Sequence, residues 1–142
     1  TDVLLLRNGK LDSQFCRSLE TGIITMNNEI VRKVGALHDM RIEDEHIRAV
    51  LSGEYTILPD DVKETIRSET KHHAKEILDQ LRELQVDLRS NPVVFTGGGS
   101  ILLRPFLEAS PLVTQAEFVE STNANAQGYM LLGSRQLARA NV

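Results

Sequence analysis

The chain has 142 residues, a formal net charge of −4, 41% apolar and 25% charged residues, and no Trp. This is the composition of an ordinary globular domain, long enough to bury a core built mainly from aliphatic side chains. It excludes a stand-alone nucleic-acid binder with a basic patch and long-range attraction to an anionic membrane, and the single cysteine, Cys16, excludes an internal disulfide or a thiolate metal cluster.

Thr1 stands directly before the apolar run Val3-Leu4-Leu5-Leu6. A natural domain rarely starts inside a strand, so the chain is expected to be part of a longer protein. No signal-peptide pattern and no apolar run near spanning length is readable, so the expected location is cytoplasmic. "VLLLRNGKLDSQFCRSL" reads as a β-hairpin turning at Asn8-Gly9. Leu11, Phe15 and Leu19 are expected on one face of its second strand, with Cys16 a half-buried small hydrophobe.

Gly22 opens a helical pattern of Ile23, Asn27, Ile30, Val34 and Leu37, with Ile24 and Val31 beside them and Gly35 weakening the end. A shorter helix fits Glu43 to Leu51, with Ile47, Val50 and Leu51 apolar, and Ser52-Gly53 stops it. The longest helix is expected to start at Pro59 with an Asp61-x-x-Glu64 capping box and to end at Asn91-Pro92. Its buried stripe is Val62, Ile66, Ala74, Ile77, Leu78, Leu81, Leu84 and Leu88.

Next come a strand from Val93 to Thr96, three glycines, a helix from Ile101 to Leu107, and a strand in "LVTQAEFV". Ser121-Thr122-Asn123 cap a last helix, Ala124 to about Ala140. Strands alternating with helices in the second half imply parallel βαβ pairing and an α/β sheet.

The stretch that carries chemistry is "VVFTGGGSILL". Gly97, Gly98 and Gly99 remove every Cβ from a strand-to-helix turn, the place where α/β sheets bind ligands. The N–H groups of Gly99, Ser100 and Ile101 would sit at a helix N-terminus suited to phosphate or sugar oxygens, with Ser100 as a candidate N-cap. The spacing is neither a dinucleotide fingerprint, which needs a glycine where Leu102 stands, nor a Walker A loop. On spacing alone, a ligand contact and a purely structural turn both remain open.

Other groups read more plainly. His72-His73 with Glu69 and Glu76 has spacing that could hold a metal, but a solvated charged helix face explains it more simply, and no metal ligand is assigned. His38 and His46 have no obvious partners. No nucleophile elbow occurs, and no catalytic residue is assigned.

"VVFTGGGSILLRPFL" resembles the adenosine-binding turn of the actin-like ATPases, whose superfamily includes the Hsp70 chaperones and sugar kinases. The pattern is nearest to the plasmid-partitioning filament proteins of the ParM/StbA type and the MreB-like C-terminal domain. "TDVLLLRNGKL" is similar to the end of the second phosphate motif and its hairpin, and "LETGIITMNNEIVRKV" to the glycine-opened helix that follows. "STNANAQGYMLLGS" is similar to the family's C-terminal helix, with Gly128 and Tyr129 in its glycine and aromatic places.

The resemblance implies the second half of an actin-type fold, an RNase H-like α/β domain covering 1–142. Its mixed sheet would be flanked by helices, with residues 38–58 in a small helical subdomain. It implies ATP or ADP with Mg²⁺, bound between two halves of which the N-terminal one is absent from this chain. Gly97, Gly98, Gly99 and Ser100 would line the adenosine pocket, with Ile101 or Leu102 against the base. Thr1 and Asp2 would end the second phosphate motif, and Gly22 would bring a helix N-terminus toward the nucleotide.

The parent protein is expected to hydrolyse ATP and self-associate into filaments, moving DNA through a separate adaptor with no direct contact to nucleic acid or membrane. The segment alone is expected to be inactive and to lack a strand normally in the middle of its sheet, leaving unpaired edges. The alternatives are a non-polymerising chaperone-like, kinase-like or pilus-assembly member, or an interaction module that has lost nucleotide binding. Arg104-Pro105 lies further from Ser100 than in the usual chaperone turn.

Overall fold

The computed structural model describes residues 1–8 and 10–119. The elements are β1 (Asp2–Arg7), β2 (Lys10–Ser18), α1 (Ile23–His38), α2 (Asp44–Ser52), α3 (Asp60–Glu83), β3 (Val93–Thr96), α4 (Gly98–Glu108) and β4 (Ala116–Val119). The expected last helix, with Gly128 and Tyr129, lies outside the described residues. The fold is α/β. Among the described residues the strands form two separate pairs rather than one mixed sheet: β1–β2 antiparallel and β3–β4 parallel. The chain divides into two compact units, Thr1–Asp87 and the part from Leu88 onward.

In the first unit the hairpin turns through Asn8 at φ 54°, the left-handed conformation such a turn requires. Pairing starts regularly, Asp2 opposite Ser18 and Leu4 opposite Cys16, but then jumps to Leu6 opposite Leu11. The extra β2 residues are taken up where Gln14 N–H donates to Asp12 Oδ1 at 3.1 Å, a local turn that also brings Asp12 to Arg7. The expected alternation therefore fails. Leu11 is exposed while Phe15 and Leu19 are half-buried, and Cys16 is exposed, not half-buried.

The core of this unit is an antiparallel pair of helices. Lys33 pairs with Glu69, and His38 with Thr65 and Asp61, so α1 advances as α3 recedes. α1 buries Met26, Ile30 and Val34 at spacings of four, while Ile24 and Leu37 of the expected stripe are exposed. α3 buries Val62, Ile66, Ala74, Ile77, Leu78 and Leu81 as expected, and also Thr70 and His73. Thr70 is satisfied inside its own helix, its hydroxyl donating to the Ile66 carbonyl at 2.8 Å. Each fully buried aliphatic side chain here stabilises by about 1.5–3 kcal/mol. α2 adds Ile47 and Val50.

The helix ends correct two expectations. α3 begins at Asp60 after Pro59, so Asp61 is already helical and the expected Asp61–Glu64 box does not form. A cap of that kind appears at α2 instead, where Glu43 N–H donates to His46 Nδ1 at 3.1 Å. α3 stops at Glu83, short of Asn91. Gln85 takes φ 61°, and the N–H groups of Gln85 and Val86 donate to the carbonyls of Arg82 and Leu81. This is a Schellman closure with a non-glycine residue in the left-handed place.

In the second unit, β3, α4 and β4 form the expected parallel βαβ unit, registered Val93 to Ala116 through Thr96 to Val119. Leu103 and Leu107 are the buried face of α4.

Candidate functional site

β3 runs straight into the glycines. Gly97 has φ 97° and ψ 161°, a conformation essentially closed to side-chain-bearing residues. α4 starts at Gly98, three residues earlier than expected, so Ser100 is not its N-cap. Ser100 lies in the first turn and donates both its hydroxyl, at 2.7 Å, and its N–H, at 3.1 Å, to the Gly97 carbonyl. Gly98 and Gly99 open the helix, and the first N–H groups of a helix have no intrahelical acceptor. They lie at its partially positive end.

The space beside these donors is open. A Cβ built on Gly97 or on Gly98 would meet nothing within 4 Å. Ile101 is exposed and Leu102 half-buried, one turn further on. Unused donors beside aliphatic surface are suited to an anionic or sugar oxygen together with a flat apolar ring. The Arg104 guanidinium is turned to the Phe118 ring, 5.1 Å from its centroid, and its Nε donates to Glu108 at 2.8 Å.

Thr1, Asp2 and Gly22 come together in the other unit. The Thr1 hydroxyl donates to the Thr21 carbonyl at 2.5 Å, and Ser18 Oγ donates to Asp2 Oδ1 at 2.5 Å. Gly22 is the N-cap of α1 in extended backbone, with open space where a Cβ would point. The two sets of predicted site residues thus lie in different compact units, one at the starts of β1 and α1, the other at the start of α4.

The histidines depart from their sequence reading. His73 is not on a solvated face: it is 3% exposed, and among the described residues its Nε2 has no hydrogen-bond partner. His72 is exposed and lies 3.4 Å from Glu76, while Glu69 is taken by Lys33. Burial lowers the His73 pKa, and Glu76 and Glu29 act against that shift. Glu29, on α1, joins this cluster across the helix pair, which spacing along one helix does not reveal. His38 and His46 do have partners: Thr65 and Asp61 for the first, the Glu43 N–H for the second. A shallow open hollow lined by Val31, Gly35, Asp39, Met40 and Arg41 contains none of the predicted site residues. No helix among the described residues is long and apolar enough to cross a membrane.

The family model described as archaeal actin homologue MreB-like, C-terminal, matches residues 1–109. No curated protein matches the chain.

Proposed function

The chain belongs to the C-terminal family of the archaeal MreB-like actin homologues, and on that premise we propose that it is the ATP-binding second half of a filament-forming actin-like ATPase. The observation that carries this reading is the β3–Gly97–α4 turn, with open space over Gly97 and Gly98 and helix-opening N–H groups beside it. Gly97 to Ser100 would form the adenosine wall, with Ile101 or Leu102 against the base. The bare backbone of the turn lets the nucleoside approach without meeting a Cβ.

Asp2 and Thr1 belong on the phosphate side. Mg²⁺ keeps several waters and is held through one or two carboxylates plus phosphate oxygens. Asp2, exposed and oriented by Ser18, suits a contact to a magnesium-bound water rather than a protein cage. Gly22 would direct the N-terminus of α1 at the phosphates. Bound Mg²⁺ would neutralise charge developing on the γ-phosphoryl group as water attacks in line. The groups that position that water would come from the other half of the fold.

In this reading residues 1–142 form an RNase H-like domain with 38–58 as a small helical subdomain. The protein works in the cytoplasm as a cytoskeletal filament, in DNA segregation through an adaptor. The test is sedimentation of the full-length protein with ATP, with ADP and without nucleotide. Pelleting that depends on ATP is expected. Its absence rejects polymerisation and leaves a chaperone-like, kinase-like or pilus-assembly member, or a docking module.

A further inference from the structure

His73 interrupts the aliphatic stripe of α3 with a buried imidazole whose Nε2 has no hydrogen-bond partner among the described residues. Packing alone does not call for it, since Ile66, Ala74 and Ile77 fill the same stripe without a polar atom. Two carboxylates attend the ring. Glu76 Oε2 lies 4.0 Å from Nδ1, and Glu29 reaches over from α1. One ligand atom from each of the three residues lies within 4.8 Å of the others. We propose that Glu29, His73 and Glu76 bind a divalent transition-metal ion that ties α1 to α3.

One imidazole and two carboxylates form a donor set for Zn²⁺, Mn²⁺ or Co²⁺; Ca²⁺ prefers six or more oxygens. Ligand atoms about 2.0–2.2 Å from zinc stand roughly 3–4 Å apart. The present spacing closes to that by small rotations. Those fall to the carboxylates, because Glu29 is exposed and Glu76 is half-exposed, whereas His73 is held by packing. Burial favours the neutral ring, which is the form that ligates a metal.

The neighbouring charges are already committed. Lys33, one turn from Glu29, is engaged by Glu69 at 2.5 Å. His72 Nε2 lies 3.4 Å from Glu76 Oε1 and can orient that carboxylate from outside. The three protein ligands leave the remaining coordination positions to water. None of these residues belongs to the glycine turn, so the inference stands independently of the nucleotide reading.

The test is calorimetric titration of the untagged full chain with ZnCl₂, repeated with CoCl₂ while the visible cobalt absorption is followed, and thermal melting with and without Zn²⁺. One equivalent is expected to bind and to raise the melting temperature. Glu29→Gln and Glu76→Gln should each weaken binding at least about tenfold. Glu29→Gln changes only an exposed helix face, so it remains informative if His73→Gln fails to fold. Absence of saturable binding overturns the proposal. So does binding that survives Glu29→Gln and disappears in His72→Gln, which would place the ion on the exposed His72–Glu76 pair.

Discussion

The rings of Phe95 and Phe118 stack with centroids 4.9 Å apart and planes 19° from parallel, one from each strand of the β3–β4 pair. They sit opposite each other in the register, next to the Thr96–Gly97 step into the glycine turn. The strand that delivers the turn is therefore pinned to its neighbour by an aromatic pair. Both rings are half-buried, so Phe118→Ala should cost about 1–3 kcal/mol, less than a fully buried Phe. Urea unfolding monitored by circular dichroism measures this, and a loss below a few tenths of a kcal/mol would contradict the assigned packing.

Gln85 closes α3 from the left-handed region, where a side chain costs about 1–2 kcal/mol and glycine costs almost nothing. Gln85→Gly should raise stability by up to about 1 kcal/mol, the remainder being lost to the greater freedom of the unfolded chain. The check is a thermal melt, with an upward shift expected.

The seam between α1 and α3 separates apolar burial from charge pairing. Ile66 is fully buried, so Ile66→Ala should destabilise by about 2–5 kcal/mol. Glu69 pairs with a half-exposed Lys33, and Glu69→Gln should cost at most about 1 kcal/mol. Denaturant midpoints of the two variants should therefore differ clearly, and equal losses would contradict this division.

His73 supplies a pH dependence. Its pKa is lowered from 6.5, first by burial and further by His72, against Glu76 and Glu29. Above pH 6.5 the ring is neutral folded and unfolded, and its contribution is fully present. As the pH falls below 6.5 the unfolded chain takes the proton first, and stability drops until the folded-state pKa is passed. Melting temperatures measured in chelator between pH 7 and pH 5 should fall more steeply for the natural chain than for His73→Gln. Parallel curves would show that His73 is not the group responsible.

Much of this architecture is legible in the sequence, for reasons of periodicity and turn chemistry. Asn8-Gly9 marks the hairpin, the Val62–Leu81 stripe marks α3, and strand–glycine–helix–strand marks the parallel unit. What escapes has local causes. The shift in β2 depends on Asp12 bonding to Gln14, which outweighs strand alternation. The end of α3 depends on Gln85 adopting a conformation its residue type does not announce, while Leu84 and Leu88 continue the helical pattern.

The site is legible to the same uneven degree. The glycines could be found because three in a row after a strand have a steric meaning, but Ser100 reads as a cap only until the helix is seen to start at Gly98. Glu29 and His73 could not be paired from sequence, because they are neighbours only through the register of two antiparallel helices.

The central claim, that nucleotide passes against the glycine turn, is tested most directly at Gly98. Gly97→Ala cannot decide it, since φ 97° makes any side chain there a folding defect. Gly98 has no such constraint: it opens α4, is exposed, and has nothing within 4 Å of a Cβ. The measurement is ATP affinity and melting temperature of the full-length protein carrying Gly98→Leu. The account predicts an unchanged or higher melting temperature, because leucine favours the helix, together with ATP affinity weakened at least about tenfold by the side chain standing in the nucleoside's place. Unchanged ATP affinity in a stably folded Gly98→Leu protein would contradict it and return the glycines to the role of a turn.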